Sequence, residues 1–170
     1  PITYQVADAL GQYANATITP TVAPPPVPTA SPNPSSDAWD TNQTINPLTN
    51  DTAGASDFPL VATTVKLCGI NPAEIPNSCT QTTLVVPNEG TYTVDPTTGV
   101  VTFDPLPTFA GTVATVVKYQ VSDSLGRVAN STITPTVAAP PVPTASPNPS
   151  SDAWDTNQTI NPLTNDAAGA

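Results

Sequence analysis

The sequence predicts an all-β chain, folded as an antiparallel β-sandwich and repeated in tandem. Three observations carry that expectation. First, β-branched residues dominate, with 29 Thr, 17 Val and 7 Ile among 170 residues. Their restricted χ1 and their fit to a pleated surface favour strands. Helix formers are scarce, with only 2 Glu and no Met. Second, 23 Pro and 8 Gly cut the chain into short segments. Short strands with frequent turn signals are the pattern of a sandwich. Third, the chain repeats itself. TASPNPSSDAWDTNQTINPLTND runs from Thr29 to Asp51 and returns unchanged from Thr144 to Asp166. Residues 4–55 align with 119–170 at an offset of 115, with 45 identities in 52 positions and no gap.

A period of 115 residues is one domain's worth of chain, too long for a solenoid unit. The expected organisation has three parts. Residues 1–23 are the C-terminal strands of a preceding repeat. Residues 24–138 are one complete repeat with a Pro-rich entry linker. Residues 139–170 are the linker and first strands of the following repeat. The chain thus reads as a window on a longer array.

Within the complete repeat the elements are expected in this order. QTINPLTND (43–51) begins as a strand and is interrupted by Pro47, which points to an edge or a bulge. LVATTVKLC (60–68) and TTLVVP (82–87) are two more strands. TYTVDPTTGVVTF is a hairpin: Tyr92 and Val94 lead in, Asp95 to Gly99 turn, and Val101 and Phe103 lead out. Pro presets φ early in such a turn, and Gly takes the left-handed position late. In YQVSDSLGRVANSTITPTV, Tyr119 and Val121 alternate with polar neighbours before a turn at Gly126, and Ala129, Ser131, Ile133 and Pro135 alternate after it. Seven to nine strands per repeat follow from this pass. The Pro-rich stretch, 139–151 in its second copy, is stiff and extended. It reads as a spacer or as a segment lying along the preceding domain.

VPNEGTYTVDPTTGVVTFDPLPTFAGT (86–112), VKYQVSDSLGRVANSTITPTV (117–137) and INPLTNDTAG (45–54) together resemble the CshA-type fibril repeat of bacterial surface adhesins. The resemblance implies an immunoglobulin-like β-sandwich strung in long arrays. It also implies a stalk or fibril on the cell wall that presents a separate distal binding region.

Charge and chemistry set further bounds. The net charge is −10 with 3 basic residues, which disfavours nucleic acid and anionic lipid. No apolar run reaches membrane-spanning length. His is absent, removing the usual general base and the commonest metal ligand. Glu74, Glu89 and 11 Asp fall mostly in turn contexts, where such side chains bond backbone. No enzyme activity, cofactor or metal is expected.

Cys68 and Cys79 bracket GINPAEIPNS and match no zinc pattern. In an exported array they read as a disulfide, worth about 3 kcal/mol by chain entropy; a free thiol pair is the alternative. Lys66 and Lys118 raise the question of a Lys–Asn isopeptide bond, but Thr3 stands at the position of Lys118 in the preceding copy. Surface lysines are the plainer reading. Asp37, Asp40 and Asp51, with Asn42 and Asn50, recur as Asp152, Asp155 and Asp166. They are hard oxygen ligands suited to Ca²⁺ at a junction, or ordinary turn residues. Trp39 recurs as Trp154, and is read as filling the joint between linker and domain, against a sugar- or protein-stacking role. NAT, NQT, NDT and NST fit the glycosylation pattern, which a Thr- and Asn-rich chain produces by chance.

The functional expectation is a structural stalk repeat of an extracellular adhesin, whose partners are adjacent repeats of the same polypeptide. The alternatives are a fibre subunit that self-associates laterally or end to end, and a sandwich module that binds a glycan or protein.

Overall fold

A computed structural model of the protein describes residues 1–70 and 79–170. Strands β1 (Ile2–Ala7) and β2 (Tyr13–Ile18) form a separate two-stranded antiparallel sheet. The strands β3 (Asn33–Asp37), β4 (Gln43–Ile45), β5 (Leu60–Leu67), β6 (Thr83–Val86), β7 (Gly90–Val94), β8 (Val101–Pro105), β9 (Gly111–Thr112), β10 (Val117–Asp123) and β11 (Val128–Val137) make a two-sheet sandwich. One sheet runs β3-β11-β10-β5, with β9 also on β11; the other runs β4-β8-β7-β6. No α-helix occurs among the described residues.

Alternation decides which side chains go inside. In β8, Val101, Phe103 and Pro105 are buried while Asp104 is exposed. In β10, Val117, Tyr119, Val121 and Asp123 are buried. The fully enclosed centre is built from Tyr92, Tyr119, Phe103, Leu67 and Ile133 with several valines. The Tyr92 and Phe103 rings lie 4.6 Å apart across the β7–β8 pair, an offset contact that adds to their burial.

Turn chemistry sets the register of both expected hairpins. In the β7–β8 turn, Asp95 Oδ1 accepts from the backbone N–H of Thr97 (2.8 Å) and Thr98 (3.1 Å). These bonds hold its carboxyl below the ordinary range. Gly99 has φ +73°, and a Cβ there would lie 2.7 Å from Ala62 O, so glycine is needed for both conformation and space. In the β10–β11 turn, Asp123 Oδ1 accepts from Leu125 N and Arg127 N, 3.0 Å each. The β1–β2 hairpin pairs Tyr4 with Ala16, as β10–β11 pairs Tyr119 with Ser131.

Pro47 ends β4 as expected. Asn46 caps a short 3₁₀ turn over Pro47–Thr49, and β4 is an edge strand of its sheet. Two details differ from the sequence reading. The sandwich is not wholly antiparallel, because β3 runs parallel to β11. The Pro-rich stretch is also more than a spacer. Its NPSS portion becomes β3, and Thr29 exchanges two backbone hydrogen bonds with Thr52, 2.9 Å each. The physical reason is that Pro34 needs no ladder donor at an edge. The segment bonds forward, to the head that follows it. In the second copy, Thr144 pairs with Ala167 and Asp166 accepts from Ser146 N.

Phe103→Ala removes the ring at the centre of the core. It is expected to cost about 3–5 kcal/mol, read as a lowered urea midpoint.

Candidate functional site

The most elaborate polar construction lies where the first strand of the sandwich meets the last. β3 and β11 pair from Asn33↔Ile133 to Asp37↔Val137. Three buried side chains hold this seam together, each delivered by a different element.

Tyr119 comes from β10 with its ring fully enclosed in the core. Its hydroxyl emerges at the start of β3. There it lies 2.9 Å from both Asp51 carboxylate oxygens and 3.1 Å from Ser31 O. Asn33, only 6% exposed, donates from Nδ2 to the Tyr119 hydroxyl (3.0 Å) and to Ser31 O (2.9 Å). Ser31 N donates to Asp51 Oδ1 at 2.9 Å. The knot therefore ties the entry segment, the chain after the 3₁₀ turn and the middle of β10. Burial pushes the Asp51 carboxyl up, against the lowering effect of the Ser31 and Tyr119 hydrogen bonds. Burial also raises the Tyr119 phenol, and its bond to Asp51 raises it further.

Gln43 is the second device. It is 1% exposed although it sits on an edge strand. Its Oε1 accepts from the Ser35 hydroxyl (2.5 Å), and its Nε2 donates to Thr136 O (2.8 Å). One amide thus bridges β3 and β11, and its donor and acceptor are both used.

The two ends of the sandwich are closed differently. At the β10–β11 turn, Arg127 pairs with Asp123 at 2.6 Å, donates to Pro25 O at 2.7 Å and lies 5.7 Å from the Phe58 ring centroid. Burial works to raise the Asp123 carboxyl, but the bonds from Arg127 and Leu125 outweigh it and hold it low. Beside this end, Gly54 has φ +76°, and a Cβ there would collide with Val27 O. At the opposite end, Glu89 is 6% exposed, and its Oε1 accepts from Ala114 N (3.0 Å) and Thr115 N (2.9 Å).

The residues singled out from sequence fall as follows. Cys68 and Cys79 are joined in a disulfide, with Cα atoms 4.1 Å apart. Glu74 and most of the bracketed loop, 71–78, lie outside the described residues. The cluster considered for Ca²⁺ is dispersed into backbone roles: Asp37 accepts from Ala38 N, Asp51 belongs to the Tyr119 knot, and Asn50 donates to Pro32 O. Among the described residues no group of three or more His, Cys, Asp or Glu is placed to hold a metal ion. Lys118 is exposed opposite Thr132, and Lys66 is half-buried opposite Gln120. Trp39 hooks from the β3–β4 turn onto the loop after β8, donating from Nε1 to Pro107 O at 3.0 Å. Trp154 is 94% exposed.

Sequence reading did not single out Gln43 or Asn33. The available signal was parity: Gln43 stands two residues before buried Ile45, on the inward side of its strand.

Tyr119→Phe leaves Asp51 and Asn33 without their shared partner. It is expected to cost about 1–3 kcal/mol, measured by chemical denaturation. The pH dependence has two limbs. The folded chain holds the Asp51 proton more tightly than the unfolded chain does. This group therefore favours the folded state fully below the ordinary value of 3.8, and the contribution fades as pH rises through the higher folded value. Asp123 has the opposite sign: its contribution is present above 3.8 and is lost as pH falls through the lowered folded value. Asp51→Asn should abolish the first limb and leave the second, read as urea midpoints across the acid range.

A family model described as the surface adhesin CshA repetitive domain matches residues 25–137, about two-thirds of the chain. No curated protein matches it. The matched span opens on the segment bound by Arg127 and closes on the last residue of β11, so it takes in the whole seam. The chain therefore belongs to the CshA repeat family of surface adhesins.

Proposed function

We propose that residues 24–138 form one stalk repeat of an extracellular bacterial adhesin, adding length and stiffness so that a distal region is presented away from the cell. The observation that carries this reading is the direction of the terminal strands. Because β3 and β11 are parallel, the chain enters the sandwich at one end and leaves at the other. Units joined in series by stiff Pro-rich segments then extend rather than double back. Near-identity of the flanking copies, 45 of 52 positions, fits a device whose output is repetition. Each unit adds a step on the order of 40 Å.

The family's structural character and the absence of His support a non-catalytic role. The Cys68–Cys79 bond fits an oxidising compartment outside the cytoplasm. Its closed loop spans 11 residues, so it shields a short length of chain if the unit is unfolded by force. Reduction should lengthen the fully unfolded unit by about 35–40 Å at ~3.3–3.6 Å per residue, measurable as a contour-length increment. No increment on reduction would argue that the bond is not formed.

Small-angle scattering on chains of one, two and four repeats tests the stalk. Maximum dimension is expected to rise linearly with repeat number and to be independent of concentration. Saturation would sink the stalk reading. Growth with concentration would favour a self-assembling fibre subunit.

A further inference from the structure

We infer that the β3–β11 seam is a shear clamp, through which each unit carries axial tension without opening. The clamp takes its use from the stalk reading, but its test does not depend on that reading.

The geometry begins with strand direction. Tension arriving from the N-terminal side pulls on β3 at Asn33, at one end of the sandwich. Tension leaving on the C-terminal side pulls on β11 at Val137, at the other end. These strands are neighbours and parallel over Asn33–Asp37 and Ile133–Val137. The two pulls therefore draw them past each other along their own axes. Evenly spaced ladder bonds loaded this way are strained together, and none opens before the rest. The same pair pulled from one end would open bond by bond.

Further contacts reinforce that path at four levels. Upstream of β3, Thr29 and Thr52 share two backbone bonds and a 2.7 Å hydroxyl contact. At the start of β3, the Tyr119 hydroxyl and Asn33 Nδ2 fasten the strand to the core at 3.0 Å. In its middle, Gln43 ties the Ser35 hydroxyl to Thr136 O. At the far end, Ala138 N donates to Asp37 O at 2.9 Å. β11 is also braced by β9, where Thr112 and Thr136 hydroxyls meet at 2.9 Å. For β11 to slide, these contacts must break with the ladder. A buried amide such as Gln43 is well suited to this: displacement by one residue strands a donor and an acceptor away from water.

Single-molecule force measurement on the full chain tests the clamp. Handles on the two termini load the seam in shear. The comparison uses Ala38→Cys, an exposed site just beyond β3, with handles there and on the C-terminus. Cys68 and Cys79 are bonded to each other, so the new thiol takes the handle. Both pulling points on the seam then lie at the same end of the β3–β11 pair, and β3 is peeled. At equal loading rate, the unfolding force is expected to be several-fold higher with terminal handles. Equal or lower force in that geometry overturns the clamp. Gln43→Ala, measured in both geometries, should lower the terminal-handle force by the larger factor; the same factor in both would reduce Gln43 to general stability and overturn its part. A scattering length that saturates with repeat number would sink the stalk while leaving this force ratio intact, so the two failures are distinguishable.

Discussion

In a parallel pair of strands the two chain directions agree, so the connection between them has to cross the domain and come back. Here that connection is nearly the whole unit. Everything from the β3–β4 turn to the β10–β11 hairpin lies between Asp37 and Ile133. The pairing of β3 with β11 thus sets the direction of entry and exit and decides which strand ends need anchoring. Arg127, the Tyr119 knot, Gln43 and Trp39 all serve boundaries that this pairing creates.

The apolar core is modest, and polar groups take over where it thins. Tyr119 illustrates the exchange. Its ring adds to the core while its hydroxyl organises Asp51, Asn33 and Ser31. Leaving such groups unpaired would cost more than their pairing gains, so the knot acts chiefly as a specificity device. β3 is short and Pro-containing, with the burial pattern of a polar edge. It is held in register by named hydrogen bonds more than by apolar contact.

Much of the fold was legible in the sequence, for identifiable reasons. The two hairpins followed from Asp95, Gly99 and Gly126, because turn geometry is local. β5 and β6 followed from β-branched runs, and the edge placement of β4 followed from Pro47. The Cys68–Cys79 pair was also readable, being the only two thiols in the chain. The seam was not legible. NPSS carries no apolar alternation and stands among prolines, so it reads as linker. Its strand character comes from β11, a hundred residues away in sequence. Non-local pairing of this kind overrides local propensity. The same limit applies to Asp51 and Trp39, which suggested a metal or a joint by their neighbours in sequence. Their partners, Tyr119 and Pro107, are neighbours only in space.

The separation between β3 and β11 also has a consequence in time. A strand pair closing a loop of nearly the full domain length is a late and entropically costly contact. A chain delivered from its N-terminus presents β3 early and β11 last. Until β11 arrives, β3 has no ladder partner and the Gln43 amide lacks its acceptor at Thr136 O, whereas the Tyr119 knot, built from residues 31 to 119, can close beforehand. Each unit is therefore completed by its own last strand, in the order in which the chain emerges.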